Sequence, residues 1–336
     1  MVPFAYRQVS DPRAAMTSLA RHTSDGAADA GTDFMAGGTD MIQLMRERVR
    51  NPADIVDIKA LPGLATIQAG PDGTRLGALV RMSDAAAHPG VREHCTVIAE
   101  ALEASASAQV RNLATLGGNL LQRTRCGYFR DVATPCNKRE PGSGCPALDG
   151  SNRLHAILGT SEHCIATYAG DFANALLVLD ATLRLAGLDG ERVIGVADLH
   201  RVPGEKPHVE TQLRPGELIA AIDIPTGPVT RRSHYLKVMD RAKYEWSIAS
   251  AAIALDIDGA GLVRDVRIAV GGVATKPWRL PQVEDALLGR RLDAALCRAA
   301  GALAAEGAVV HGANAYKVKL IQNTVARALE ETGGLA

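Results

Sequence analysis

Residues 123–145, with the sequence RTRCGYFRDVATPCNKREPGSGC, contain three cysteines in 23 residues and almost no hydrophobic pattern. A fourth cysteine, Cys164, follows in the run GTSEHCIAT. A segment so rich in glycine, proline and charge cannot bury enough apolar surface to offset the entropy of its own ordering. Thiols can supply what packing does not, because they form disulfides or bind metals. The sequence therefore predicts a loop that is fixed by its cysteines.

The composition limits the classes of protein that this chain can represent. Its 336 residues suffice for about two to three domains of roughly 100–200 residues each. Hydrophobic residues make up 47% and charged residues 22%, which is typical of a globular protein with a sizeable core. Lysine plus arginine balance aspartate plus glutamate at 37 each, and aromatic residues are only 4%, so we expect no nucleic-acid partner. No run of about 18 apolar residues occurs, so we expect no membrane span.

The N-terminal residues MVPFAYRQVSDP lack the basic, apolar and small-residue regions of a signal peptide. We therefore expect no export signal of the chain's own. The protein would be cytoplasmic, or periplasmic by co-export with a signal-bearing partner. A reducing compartment would disfavour disulfides.

Hydrophobic periodicity predicts a mixed α and β chain. In the first part we expect helices at 12–22 and 91–105, strands at 53–59, 74–80 and 217–225, and a helix that passes into a strand over 171–186. After a candidate linker at 225–232, an antiparallel meander is expected at 234–239, 246–258 and 262–273, with a tight turn at 258–261, followed by helices at 281–288, 292–306 and 312–331. The division falls near residue 226.

Two glycine pairs follow apolar segments, in AGGTD (36–40) and TLGGN (115–119). Glycine reaches positive φ and lets a ligand approach the main chain, and successive N–H groups can form an anion-binding nest. Two such turns could hold a pyrophosphate between them. The alternative is that both are ordinary hairpin or bulge glycines. Neither motif is GxGxxG or a GK[ST] loop, so a Rossmann or Walker site is not supported.

The two glycine motifs, together with three longer stretches, resemble the FAD-binding medium subunit of the xanthine dehydrogenase and molybdenum hydroxylase family. Those stretches are GDFANALLVLDATL (170–183), HYLKVMDRAKYEWSIASAAIAL (234–255) and IAVGGVATKPWR (268–279). The resemblance extends over nearly the whole chain. It implies an α+β fold, with a vanillyl-alcohol-oxidase-like (PCMH-type) FAD-binding domain of two subdomains at 1–226. A C-terminal domain of the carbon-monoxide-dehydrogenase flavoprotein type would follow at 227–336.

The resemblance also implies which residues bind the cofactor. The matching positions in and beside the two glycine motifs are Met35, Ala36, Gly37, Gly38, Thr39, Asp40, Met41, Arg111, Thr115, Gly117, Gly118 and Asn119. Asp171 matches an acid that holds the ribose or adenine end of FAD, and Lys237 matches a lysine near the flavin ring. A cation there would stabilise anionic reduced flavin. The alternatives are a helix N-cap for Asp171 and a solvated strand lysine for Lys237.

Four polar or aromatic residues follow Lys237: Arg241, Lys243, Tyr244 and Trp246. They would line the isoalloxazine pocket or the entrance for the electron acceptor. A surface turn between two strands is the alternative.

The four clustered cysteines, Cys126, Cys136, Cys145 and Cys164, are spaced 10, 9 and 19 residues apart. Structural zinc prefers at least one close pair of ligands, which this spacing lacks, whereas an iron–sulfur cubane takes four thiolates from a wrapping loop. The loop at about 122–165 resembles the version in the aldehyde oxidoreductase branch of the family, which carries an extra [4Fe–4S] cluster, as does the 4-hydroxybenzoyl-CoA reductase branch.

Other residues could contribute to such a site. The basic residues expected to offset thiolate charge and donate to sulfur are Arg123, Arg125, Arg130, Lys138 and Arg139. His155 or His163 could replace one cysteine as a ligand. Cys95 and Cys297 lie in predicted helices and should be small buried hydrophobes rather than ligands.

The resemblance implies an electron-transfer flavoprotein subunit with FAD, a [4Fe–4S] cluster and no catalytic side chains of its own. Its partners would be a large molybdenum-cofactor subunit and a small subunit with [2Fe–2S] clusters, in a heterotrimer that oxidises aldehydes. The acceptor would be NAD⁺, a quinone, ferredoxin or O₂. A 4-hydroxybenzoyl-CoA-reductase-like or xanthine-dehydrogenase-like complex is an alternative. From other classes, a stand-alone flavin oxidoreductase and a zinc-stapled scaffold stay open.

Overall fold

The computed structural model describes residues 1–20, 31–241 and 244–335. The strands are β1 Ala5–Gln8, β2 Thr32–Met35, β3 Asp54–Asp57, β4 Ile67–Gly70, β5 Gly73–Gly77, β6 Thr182–Gly187, β7 Gly190–Gly195, β8 Leu218–Ile224, β9 Ser233–Val238, β10 Ala249–Ile257, β11 Val263–Gly271 and β12 Trp278–Arg279. The α-helices are α1 Pro12–Ala20, α2 Met41–Arg46, α3 Met82–Ala87, α4 Pro89–His94, α5 Thr96–Ala104, α6 Ala108–Arg111, α7 Leu116–Leu120, α8 Gly127–Arg130, α9 Phe172–Val178, α10 Val196–Leu199, α11 Pro228–Arg231, α12 Pro281–Leu287, α13 Ala294–Gly301 and α14 Tyr316–Gly333. Short 3₁₀ turns cover Ala302–Ala305 and Gly312–Asn314.

The strands form three sheets. The first is parallel, in the order β1-β3-β2, and the second is antiparallel, in the order β4-β5-β8-β6-β7. The third is antiparallel, in the order β12-β11-β10-β9, which confirms the predicted meander. Its tight turn closes with the N–H of Asp258 on the carbonyl of Leu262, and Gly261 supplies a φ of +81°.

Strand β10 has a buried side chain on each face over most of its length. Ala252 and Ala254 belong to the core that also contains residues of α5 and α9, while Ile253 and Leu255 belong to the core under α14. Successive side chains of a strand alternate between faces, so small residues on one face allow close helix contact and large ones fill the other. This central strand therefore joins the two cores.

Three elements differ from the sequence prediction. TLGGN is the helix α7 rather than a turn, because the Thr115 hydroxyl accepts from the N–H of Gly118 at 3.3 Å and caps the helix. The predicted helix 91–105 is two helices, α4 and α5, that break at Cys95, whose φ and ψ are −142° and 53°. The candidate linker contains α11, which begins with Pro228, a residue suited to the first helical turn.

The longest helix of the described residues, α14, ends where Gly334 adopts a φ of +71°. Ile321, Val325 and Leu329 recur every four residues on its buried side, as an amphipathic helix requires. None of the helices in residues 1–20, 31–241 and 244–335 combines the length and apolar composition needed to cross a membrane.

Candidate functional site

A cavity of about 470 Å³ brings both glycine motifs together. Its volume lies in the range of about 300–1,000 Å³ that is usual for ligand sites. The predicted cofactor-binding residues that line it are Met35, Ala36, Gly37, Gly38, Thr39, Asp40, Met41, Thr115, Gly117, Gly118, Asn119 and Asp171. Arg111 and Lys237 are outside the lining. Sequence reasoning missed the contribution of the start of β8: Leu218 and Ile219, with the preceding Glu217, form part of the wall.

The first glycine motif has the geometry of an anion-binding turn. Gly38 has a φ of +72°. Within the described residues, no acceptor is bonded to the main-chain N–H groups of Gly37, Gly38, Thr39 and Asp40. Gly37 has a different reason to be glycine, since a Cβ there would overlap the carbonyl oxygen of Leu113, just before the second motif. The first motif thus offers free amides and packs directly against the segment before the second.

The second glycine motif does not form the expected nest. The N–H of Gly117 donates to Ala78 O at 2.8 Å, and that of Asn119 donates to Thr115 O at 2.8 Å. The motif instead contributes shape and one acceptor. A Cβ on Gly118 would meet only the Thr115 hydroxyl, at 3.0 Å, and Asn119 Oδ1 is buried without a hydrogen-bond partner. Both features leave room and bonding capacity for a ligand.

Asp40 ties the first glycine motif to the start of the cysteine-rich segment. Its carboxylate accepts from the Arg123 N–H at 2.8 Å, from Arg125 Nη1 at 2.6 Å and from Arg130 Nη2 at 2.9 Å. Burial raises the pKa of Asp40, but the two guanidinium groups and the amide outweigh it and lower the pKa overall. Asp40 is therefore an anionic anchor for the segment.

We expect Asp40→Asn to destabilise the first glycine motif and the cysteine-rich segment together. The change leaves the partly buried guanidinium of Arg125 without its counter-charge and leaves Arg130 paired with Glu47 alone. The free energy of unfolding should fall by about 2–4 kcal/mol, and bound flavin should fall with it. Thermal unfolding and flavin content measure the two effects. The matched control is Asp131→Asn, an exposed change in the same segment, which should alter neither; an equal effect of both variants would contradict the anchoring role of Asp40.

Asp171 and Lys237 form a buried ion pair. Asp171 Oδ2 lies 2.8 Å from Lys237 Nζ, and both side chains are at most 5% exposed. The Tyr235 hydroxyl donates to Asp171 Oδ1 at 2.6 Å and the Ser105 hydroxyl donates to Oδ2 at 3.0 Å. Burial first, and then Asp171, raises the pKa of Tyr235, so this phenol stays a donor.

This pairing corrects two expectations. Lys237 is not a solvated strand lysine, and the side chain of Asp171 does not cap α9 although the residue precedes that helix. Two groups 2.8 Å apart also cannot serve opposite ends of a dinucleotide. Asp171 lines the cavity, whereas Lys237 does not and contacts the carboxylate of Asp171.

Described residues between β9 and β10 form another part of the cavity wall. Arg241, Tyr244 and Trp246 line it, whereas Lys243 lies outside the described residues. Arg125 stacks over the Trp246 ring, with its Cζ atom 4.4 Å from the ring centroid. Such contacts are worth about 0.5–2 kcal/mol. Arg125 thereby links this part of the wall to Asp40 and the cysteine-rich segment.

Cys126, Cys136, Cys145 and Cys164 all line one small cavity, next to Phe129. The same four cysteines, like Cys95 and Cys297, are free thiols. The main-chain N–H of Ala166 donates to Cys164 Sγ at 3.5 Å, and nearby main-chain N–H groups lower the pKa of Cys126 and of Cys145 against the larger effect of burial. In the part of the chain that the structure describes, no three His, Cys, Asp or Glu side chains are drawn close enough together to hold a single metal ion.

Burial disfavours the thiolate form of three of these cysteines. It raises the pKa of Cys126 to about 12 and that of Cys164 to about 11, and it also raises the pKa of Cys145. Sulfur at these positions would ionise only beside a compensating positive charge such as a metal. The nearby main-chain N–H groups would then stabilise the thiolates.

The basic residues of the segment do not donate to sulfur as expected. Carboxylate and carbonyl oxygens are stronger acceptors than a thiol, and they take these donors instead. The pairs are Arg125 and Arg130 with Asp40, Arg123 and Lys138 with Glu210, and Arg139 with the carbonyls of Tyr128 and Phe129.

The two candidate histidines lie at the thiol cavity, whereas the two remaining cysteines do not. His155 Nε2 lies 3.2 Å from Cys126 Sγ, and His163 lines the thiol cavity. Cys95 and Cys297 are buried at 2% and 0% exposure away from this cavity, which confirms them as hydrophobes.

The chain matches two protein-family models. The model described as the FAD binding domain in molybdopterin dehydrogenase matches residues 4–227, and the CO dehydrogenase flavoprotein C-terminal domain matches residues 234–332. A curated relative, the aldehyde oxidoreductase FAD-binding subunit PaoB of Escherichia coli K12, is 45% identical over 296 residues, which is 88% of each chain. The glyceraldehyde dehydrogenase medium chain of Sulfolobus acidocaldarius is 26% identical over 77% of this chain and 74% of its own.

Solved structures show the same fold. A CO dehydrogenase chain from Oligotropha carboxidovorans superposes with a TM-score of 0.75 at 23% identity and full coverage of both chains. A chain of quinoline 2-oxidoreductase from Pseudomonas putida 86 gives 0.74 at 22% identity, covering 99% of this chain and 98% of the other. The resemblance and the α+β fold predicted from the sequence are thereby confirmed. This chain belongs to the FAD-binding medium subunits of the molybdenum hydroxylase family, and is an oxidoreductase subunit that binds FAD.

Proposed function

We propose that this chain is the electron-transfer subunit of an aldehyde-oxidising molybdenum hydroxylase. It would take electrons from the [2Fe–2S] clusters of a small partner subunit and deliver them to an external acceptor, while a large partner subunit with the molybdenum cofactor binds the aldehyde. The 45% identity to an aldehyde oxidoreductase subunit supports the substrate class. Relatives named as medium chains or medium subunits support an assembly of several chains.

FAD fits the large cavity. The free amides at Gly37–Asp40 would hold its diphosphate, since backbone N–H groups in such turns bind anions. The missing side chain of Gly118 would admit the dinucleotide, and Asn119 Oδ1 would accept from one of its hydroxyl groups. When bound, FAD supplies the redox chemistry, whereas the protein binds, orients and shields it.

The four cysteines that line the thiol cavity support the proposal of a [4Fe–4S] cluster there. These cysteines would be the ligands, and the N–H of Ala166 would donate to the thiolate of Cys164. A single zinc ion would need its four sulfurs about 2.3 Å from one point, whereas a cubane spans a wider space. The cluster would be a one-electron station.

We infer that the two domains divide near residue 226. In chain order, β8 is the last strand of the five-stranded sheet and ends at Ile224. The first strand of the four-stranded sheet, β9, begins at Ser233. The short helix α11 lies between them.

One observation carries the functional proposal: Asp40, in the cavity that both glycine motifs line, binds Arg125 and Arg130, which lie on either side of the thiol-cavity residue Cys126 in the chain. The test is anaerobic mixing with aldehyde, monitored by visible absorbance. We expect the flavin to bleach in the assembled complex and to stay oxidised in the isolated chain. Bleaching in the isolated chain would show a stand-alone oxidoreductase, and an unreduced flavin in an active complex would refute the electron-transfer role.

Metal analysis tests the cluster separately. We expect about four iron and four sulfide per chain, as in one cubane. One zinc per chain, without iron, would support a zinc staple instead.

A further inference from the structure

One side chain donor reaches the thiol cavity from outside its wall. His155 Nε2 lies 3.2 Å from Cys126 Sγ, and the histidine is only 7% exposed. Among the described residues, Cys126 is the one cysteine of the four with a side-chain nitrogen at this distance. The other contacts to these sulfurs come from main-chain N–H groups.

The hydrogen-bonding pattern assigns the proton on this imidazole. Nδ1 of His155 is buried and has no hydrogen-bond partner. A proton there would be a buried donor without an acceptor, whereas a proton on Nε2 has the sulfur of Cys126 to donate to. The neutral ring therefore carries its N–H towards the sulfur.

The C-terminal domain holds His155 in place. Lys317, which is fully buried on α14, donates from Nζ to the carbonyls of Leu154 at 2.9 Å and Gly272 at 2.6 Å. Asn314, also fully buried, donates from Nδ2 to the carbonyl of Ala156 at 3.0 Å. The carbonyls on both sides of His155 are thus fixed by residues more than 150 positions away in the sequence.

We propose that His155 is a positioning residue that sets the reduction potential of the cluster through a hydrogen bond to the thiolate of Cys126. This inference rests on the proposed [4Fe–4S] cluster. One-electron reduction adds one negative charge to the cluster and its thiolates, and no proton moves. An N–H that points at a ligand sulfur stabilises the reduced form more than the oxidised form, so it raises the potential. The potential of the cluster would then be adjusted for electron transfer, and the cluster would do more than hold the cysteine-rich segment together.

The test compares His155→Leu, which removes the donor, with His155→Gln, which keeps an amide donor of similar reach. Both are made in the assembled complex, and the cluster is titrated with a chemical reductant and followed by EPR. For His155→Leu with full iron, we expect the ratio of oxidised to reduced cluster, measured at the midpoint potential of the wild type, to rise about tenfold. This corresponds to a shift of the midpoint potential by about 59 mV to lower values. His155→Gln should shift much less.

His163→Leu is the matched control, because His163 lines the same cavity and is exposed, and no contact joins its ring to a sulfur. It should leave the potential unchanged. An unaltered potential in His155→Leu with full iron would overturn the inference, as would loss of iron from both His155 variants, which would make this residue necessary for holding the cluster. A wild-type complex without iron would instead refute the cluster proposal itself.

Discussion

The Gly118→Val variant is expected to lose FAD. A Cβ at residue 118 would meet only the Thr115 hydroxyl, at 3.0 Å, so the branched side chain would extend into the open cavity where we place the dinucleotide. We expect FAD affinity to fall by at least about 100-fold, or about 2.8 kcal/mol. Flavin content of the purified protein and flavin fluorescence titration of the apoprotein measure this loss. Gly118→Ala should lie between the wild type and the valine variant.

Gly70→Val is the matched control for this change. Gly70 ends β4, and nothing lies within 4 Å of a Cβ built on it, so valine has space there without entering the cavity. Circular dichroism and thermal unfolding should show that both variants fold. Undiminished flavin in Gly118→Val would contradict the position assigned to FAD.

The Cys136→Ser variant is expected to lose the iron–sulfur cluster that we propose for the thiol cavity. Cys136 is 8% exposed and lines the cavity that it shares with the other three cysteines. A serine hydroxyl ionises far less readily than a thiol, so it cannot replace the thiolate that a cluster requires. Iron and sulfide should fall from about four of each per chain to below about one.

FAD should stay bound to Cys136→Ser, because the amides of the first glycine motif are unchanged. Its affinity should nevertheless fall by up to about tenfold, or about 1.4 kcal/mol, since Asp40 holds Arg125 and Arg130 of the cysteine-rich segment. Cys297→Ser, a buried cysteine in α13, is the control and should keep all its iron. Full iron in Cys136→Ser would refute the ligand assignment.

Several features of this protein could be predicted from the sequence because their causes are local. The stretches 246–258 and 262–273, with the tight turn DGAG between them, predicted the antiparallel strands β10 and β11, and the amphipathic pattern at 312–331 predicted α14. The four clustered cysteines stood out by composition alone. The glycine pairs marked the correct chain segments, since both line the same cavity.

The role of each glycine pair could not be predicted from the residues of the pair and its neighbours in the sequence. AGGTD and TLGGN look alike, but the capping hydroxyl of Thr115 and the carbonyl of Ala78 use the amides of the second pair. The first pair keeps its amides free. Which amides are free depends on acceptors elsewhere in the fold, and a local motif does not contain them.

The sequence by itself determined the family, several of the strands and helices, and the glycine pairs and clustered cysteines that line the two cavities. Only the tertiary structure decided how the charged groups pair. It pairs Lys237 with Asp171, and Arg125 and Arg130 with Asp40. It also brings Lys317 to the carbonyl of Leu154, the residue before His155. These partners are far apart along the chain, and electrostatic and hydrogen-bond energies depend on distance and burial in space rather than on sequence position.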